Sequence, residues 1–182
     1  MRLAIFCSLL MLMSACTSVP DGIEPVTGFE LNRYLGKWYE IARLDHGFER
    51  GLSEVSADYS KRPDGGVDVI NRGYSEQDKR WEQAEGKAFF VKDTGTGHLK
   101  VSFFGPFYGS YVIFELDPAY QYAFVSGPSH DYLWLLARQP AVSEDLRTRF
   151  IETARQAGFA LDELIFVSHG DKSVGEMSGL NR

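Results

Sequence analysis

Between residues 38 and 138 the chain is a succession of short runs rich in Val, Ile, Tyr, Phe and Trp, each closed by turn-forming residues. The runs read "WYEIARLD", "EVSADYSKR", "GVDVINRGY", "RWEQAEGKAFFVK", "HLKVSF", "SYVIFELD", "YAFVSGP" and "DYLWLLAR". Parallel pairing needs crossover helices, and no helical period interrupts these runs, so eight consecutive strands favour antiparallel up-and-down or Greek-key order. The segments "PDGG" (63–66), "DTGTG" (93–97) and "DPAYQ" (117–121) supply the Gly and Asp that tight turns require. Gly95 and Gly97 are turn glycines rather than a phosphate loop, because no helix follows them. Such strands must stack as two sheets or close, and an eight-stranded barrel has an interior just wide enough for one small ligand.

One helix follows the eighth strand. Ser143 is its N-cap, Glu144 and Asp145 complement its positive end, and Gly158 stops it. Leu146, Phe150, Ile151, Ala154 and Ala157 form an apolar stripe that must lie against something. The run "LIFVSH" (164–169) predicts a short final strand.

The N-terminal "MRLAIFCSLLMLMSAC" has a positive Arg2, an apolar run too short to span a bilayer with ease, and small residues before Cys16. Met13-Ser14-Ala15-Cys16 resembles the bacterial lipobox, in which the cysteine thiol takes a diacylglycerol and becomes the new N-terminus; an ordinary cleaved signal is the alternative. Cys7 leaves with the signal, so Cys16 is the one thiol of the mature chain and no intramolecular disulfide forms. By resemblance to known lipoproteins, Thr17 in place of an aspartate points to the outer membrane, periplasmic face. The expected organisation is a lipoprotein signal peptide (1–15), a lipidated tether rich in Pro, Gly and Ser (16–28), a barrel domain (29–170) and a flexible polar tail (171–182).

A formal net charge of −6 argues against nucleic acid as a partner. His46, His98, His130 and His169 fall in separate loops or strand ends with no metal-ligand spacing, so no metal site is expected. "Ser129-His130-Asp131" has the residue types of a triad, but contiguous residues cannot readily face one another as nucleophile, base and orienter must. Glu85 and Lys87 read as a surface pair. No catalytic residue and no cofactor are expected.

The sequence resembles the lipocalins. "FELNRYLGKWYEIAR" matches their N-terminal Gly-x-Trp motif, "LDPAYQYAFV" a loose form of the second, and "YLWLLARQP" the third, ending at Arg138. With the lipobox and "FGPFYG", the chain is most similar to the bacterial outer-membrane lipocalins, relatives of apolipoprotein D. The resemblance implies an all-β, eight-stranded up-and-down barrel with one C-terminal helix packed outside. It also implies that Trp38 closes the barrel floor with Arg138 across its ring and Gly36 in the turn beneath. Alternation from Arg138 then puts Leu136, Trp134 and Tyr132 on the inner face. By resemblance to apolipoprotein D, Tyr59 and Asn71 also face inward, and Trp81 is placed in the same ligand-binding set. The loops after the first, third, fifth and seventh strands surround the open end, which brings Phe48, Phe107 and Tyr108 to the mouth, with Arg50, Lys79 and Arg80 as partners for an anionic headgroup.

The function that follows is an outer-membrane-anchored carrier of a fatty acid, lysophospholipid or similar amphiphile, held at the membrane through acylated Cys16. A lipid-modifying enzyme and an envelope protein-interaction module are the alternatives. Whether copies pair as a homodimer is left open.

Overall fold

The computed structural model describes residues 17–170; the signal segment, Cys16 and the tail from 171 lie outside the described residues. Eight strands follow one another: β1 (Gly36–Leu44), β2 (Leu52–Lys61), β3 (Val67–Ser75), β4 (Arg80–Phe90), β5 (His98–Ser102), β6 (Gly109–Leu116), β7 (Tyr122–Ser126) and β8 (Leu133–Ala137). Each pairs antiparallel with its sequence neighbours, and β1 pairs with both β2 and β8, which closes the barrel. Closure leaves no free edge among the eight.

β1 touches β2 only through residues 36–39. Above that level the short strand β9 (Leu164–Phe166) takes the vacated edge, Ala42 opposite Phe166 and Leu44 opposite Leu164. The chain beyond it continues the seal: Val167 N donates to Ile41 O (2.9 Å), and His169 Nε2 contacts Glu40 O (2.7 Å). The predicted final strand is thus present, three residues shorter than the run 164–169.

The main helix, α2 (Glu144–Gln156), starts where its cap predicts, with Ser143 Oγ accepting from Leu146 N (3.3 Å). Gly158, at φ +90°, turns the chain out of it. Phe150 and Ala154 are buried against the outer barrel wall, where Phe150 meets the Phe124 ring edge-on at 5.0 Å. Burying a phenylalanine contributes about 1.5–3 kcal/mol, enough to pin an otherwise marginal 13-residue helix.

Two features depart from the sequence reading. The tether expected over 16–28 is, from Thr17 on, a strap packed along the barrel. Ser18 Oγ donates to Pro128 O (3.1 Å), Ile23 is buried with Phe124 and Leu133, Val26 N donates to Ile113 O (2.9 Å), and Gly97 N donates to Val26 O (2.8 Å). Its apolar residues, Val19, Ile23, Val26 and Phe29, are spaced four, three and three apart between Pro, Gly and acids, which suits neither strand nor loop patterning. The second addition is one helical turn, α1 (Leu31–Tyr34), laid across the closed end before β1.

Candidate functional site: a cavity closed by Trp38 and Arg138

The closed end is built from the outside in. Trp38 is fully buried, its indole Nε1 donates to Tyr34 O (2.7 Å), and the Tyr34 ring lies 4.6 Å from its own. The Arg138 guanidinium carbon stands 4.0 Å from the centre of the Trp38 ring. Its donors reach four backbone carbonyls: Nη1 to Lys37 O (2.8 Å), Nη2 to Arg33 O (2.8 Å) and Leu35 O (3.0 Å), and Nε to Tyr120 O (3.3 Å). One side chain thereby ties α1, the start of β1 and the β6–β7 turn together, as a five-donor planar fork can and an ammonium cannot. Gly36 holds φ +89°, and a Cβ there would lie 3.6 Å from Arg138 Nη1, so the backbone conformation rather than space calls for glycine.

Above this floor the barrel encloses about 860 Å³ of atom-free space, its open mouth included. The wall is apolar for most of its height, with Val67 and Val69 from β3, Ala88 from β4 and Leu99 and Val101 from β5. Tyr34, Tyr59 and Tyr111 bring a chain of hydroxyls to the lower wall, at 2.7 Å between Tyr34 and Tyr111 and 3.1 Å between Tyr59 and Tyr111. Burial pushes all three phenols above their ordinary value, so they remain neutral hydrogen-bonding groups. The amide oxygen of Asn71 is buried without a partner on the same wall, opposite Ala57 and Ala84. A few polar groups in an apolar concavity of this size is the usual make-up of a small-molecule site.

Of the residues expected to line it, Phe48, Tyr59, Asn71, Trp134 and Leu136 do. Trp81, Phe107 and Tyr108 do not. Trp81 is on the outer face of β4, paired with Tyr74 at a ring distance of 5.8 Å. The register requires this: Asn71, which faces inward, is opposite Ala84, and Trp81 is an odd number of residues from it. Tyr108 packs outside against Phe89, with the Lys100 ammonium 5.2 Å from its ring, and Phe107 projects into solvent. Arg50, Lys79 and Arg80 reach the rim but are each paired there with acids: Arg50 with Asp45, Lys79 with Glu76, and Arg80 with Asp78 and Glu82.

The cavity carries a charged cluster that alternation alone misses. The β1–β8 pairing slips between Glu40 and Ala42, so Ile41 is an extra residue, Ile41 and Ala42 both pack outward, and Arg43 turns in opposite Trp134. Arg43 Nη1 then donates to Glu40 Oε1 (2.7 Å) and Nη2 to Glu49 O (2.9 Å), while Trp134 Nε1 donates to Glu49 Oε2 (3.1 Å) and His46 Nε2 approaches the same oxygen at 3.0 Å. Glu40 and Glu49 are the charged residues on the cavity wall itself. Burial holds the Glu40 carboxyl well above the usual carboxylate range, the charge of Glu49 adds to this, and Arg43 opposes it. A carboxyl raised in the fold stabilises the fold below its unfolded pKa, and that contribution is lost as pH rises through the folded value. Glu40→Gln keeps the acceptor for Arg43 and removes the titration. Its urea midpoint should therefore decline less than that of the parent between pH 5 and pH 8; an equal decline would show that Glu40 is ionised at no cost.

The contiguous Ser129, His130 and Asp131 do not form a triad. Ser129 Oγ donates to Asp131, whereas His130 turns away to Ala157 O (3.0 Å) and the Phe159 ring, so the three types do not form a relay. No group of three His, Cys, Asp or Glu suited to a metal occurs among the described residues.

The model of the lipocalin-like domain matches residues 29–169, the barrel and its final strand. The chain is a lipocalin. It is 58% identical over 164 residues to a protein of Vibrio cholerae named outer membrane lipoprotein Blc, covering 90% of this chain and 95% of the relative. A protein of the same name in Escherichia coli K12 is 49% identical over 158 residues, covering 86% and 89%. Among solved structures, insecticyanin from the tobacco hornworm superposes with a TM-score of 0.67 at 18% identity, covering 85% of this lipocalin and 88% of that chain, which speaks for the fold alone.

Proposed function

We propose that this lipocalin is a lipid carrier of the outer membrane, anchored through acylated Cys16 on the periplasmic face, and that it holds one single-chain amphiphile in the barrel. The observation that carries the reading is the cavity: apolar for most of its height, open at one end, with a hydroxyl chain and the unpartnered Asn71 amide oxygen on its walls. Each buried methylene of an acyl chain contributes about 0.8 kcal/mol before ordering costs, so a long chain reaches micromolar to nanomolar affinity without a tight headgroup contact. The names of the bacterial relatives support the location, and their matches extend beyond the barrel toward the N-terminus.

The wall charges refine the choice of amphiphile. A fatty acid carboxylate reaching the upper cavity meets the negative charge of Glu49, whereas the ammonium of a zwitterionic lysophospholipid finds opposite charge there. Titration of the delipidated protein at pH 7 should rank lysophosphatidylethanolamine ahead of palmitate, and palmitate ahead of retinol. Retinol binding tighter than both would overturn the assignment.

A further inference from the structure

Five large apolar side chains are well exposed among the described residues, and four of them surround the open end: Phe48 (61%) between β1 and β2, Trp81 (39%) just after the β3–β4 loop, and Phe104 (81%) and Phe107 (68%) between β5 and β6. Trp81, Phe104 and Phe107 do not line the cavity. Isolated exposed aromatics are ordinary, but a ring of them around one end is an interaction surface.

The path of the strap says what that surface meets. Ser18 is bonded to Pro128 in the β7–β8 loop at the open end, and the strap runs from there to the closed end, where Thr27 bridges Thr96. The described chain therefore begins at the mouth, and Thr17 directly follows Cys16. An acyl anchor on that cysteine holds the mouth, not the floor, at the bilayer surface.

We propose that the open end docks on the bilayer that holds the anchor, with Phe48, Trp81, Phe104 and Phe107 immersed among the headgroups and upper acyl chains, so that a lipid passes between membrane and cavity without crossing water. The inference rests on the lipoprotein reading. Docking is apolar rather than electrostatic, because Arg50, Lys79 and Arg80 are already paired with rim acids. The diacylglycerol on Cys16 tethers the protein without orienting it, and a second apolar contact at the surface fixes the orientation.

The test uses the full acylated protein in vesicles of phosphatidylethanolamine and phosphatidylglycerol. With Cys16 acylated, Phe104→Cys and Ala119→Cys each provide one free thiol for an environment-sensitive fluorophore, the first at the mouth and the second on the exposed β6–β7 turn at the floor. The mouth label should emit blue-shifted light and resist an aqueous quencher about fivefold better than the floor label, with little change between low and high salt. The pair Phe104→Ser and Phe107→Ser should slow uptake of a fluorescent lysophospholipid from vesicles about tenfold while its equilibrium affinity in solution is unchanged. Protein that floats with the vesicles while both labels stay in water, or uptake unaffected by the serine pair, overturns the docking inference alone. Protein that does not float at all overturns the lipoprotein reading, and this inference with it.

Discussion

Arg138→Ala should lower the unfolding free energy by about 3–5 kcal/mol. Its guanidinium makes four bonds to carbonyls on two separate pieces of chain, 33–37 and the β6–β7 turn, and covers the Trp38 ring at 4.0 Å. Hydrogen bonds from a charged donor are worth about 1.5–3 kcal/mol each, the stacking about 0.5–2 kcal/mol, and the sum is not additive because solvent replaces part of what is lost. Arg138→Lys should recover little, since an ammonium cannot reach the carbonyls of Arg33, Leu35 and Lys37 together. A double-mutant cycle with Trp38→Phe should give a coupling of about 1 kcal/mol in denaturant unfolding, whereas a cycle with Trp134→Ala, which does not touch Arg138, should give none within error. Additivity of Arg138→Ala and Trp38→Phe would show that the ring and the guanidinium act independently.

Val69→Trp should abolish tight binding, with at least a hundredfold loss of lysophospholipid affinity and a stability change of about 1–2 kcal/mol. Val69 is buried on β3 below Asn71, facing the middle of the cavity. An indole there occupies the path of the acyl chain, and removing only four methylenes from contact already costs about 3 kcal/mol, more than a hundredfold in affinity. The barrel tolerates the added volume because the space is otherwise empty, unlike a packed core in which extra atoms force strain. An unchanged titration in a folded Val69→Trp protein would place the ligand outside the barrel.

Much of this was legible in the residues. The strand succession, the Ser143 cap and the Gly158 stop determine the fold through local rules that tertiary packing does not override here. Alternation from Arg138 puts Trp134 and Leu136 on the cavity wall because β8 is regular. It fails on β1, where the extra residue Ile41 reverses the parity and hides Arg43 from a period-two reading. The placement of Trp81 errs for a related reason: face assignment on β4 needs the register with β3, which no single strand contains. The strap is held by long-range bonds from Val26 and Phe29 to β6 and the β4–β5 loop, and such contacts leave no local periodicity to read. Glu49 enters the cavity from the loop between β1 and β2, carried there by its bond to Trp134 and its close approach to His46 rather than by any pattern of its own.

The central claim is that one amphiphile occupies the barrel. Native mass spectrometry of the protein purified from membranes, and of Val69→Trp purified in the same way, tests it most directly. The expected spectrum shows the parent carrying a single adduct with the mass of a one-chain lipid and Val69→Trp carrying none. A parent without lipid even at saturating lysophosphatidylethanolamine, or an adduct that survives in folded Val69→Trp, would contradict it.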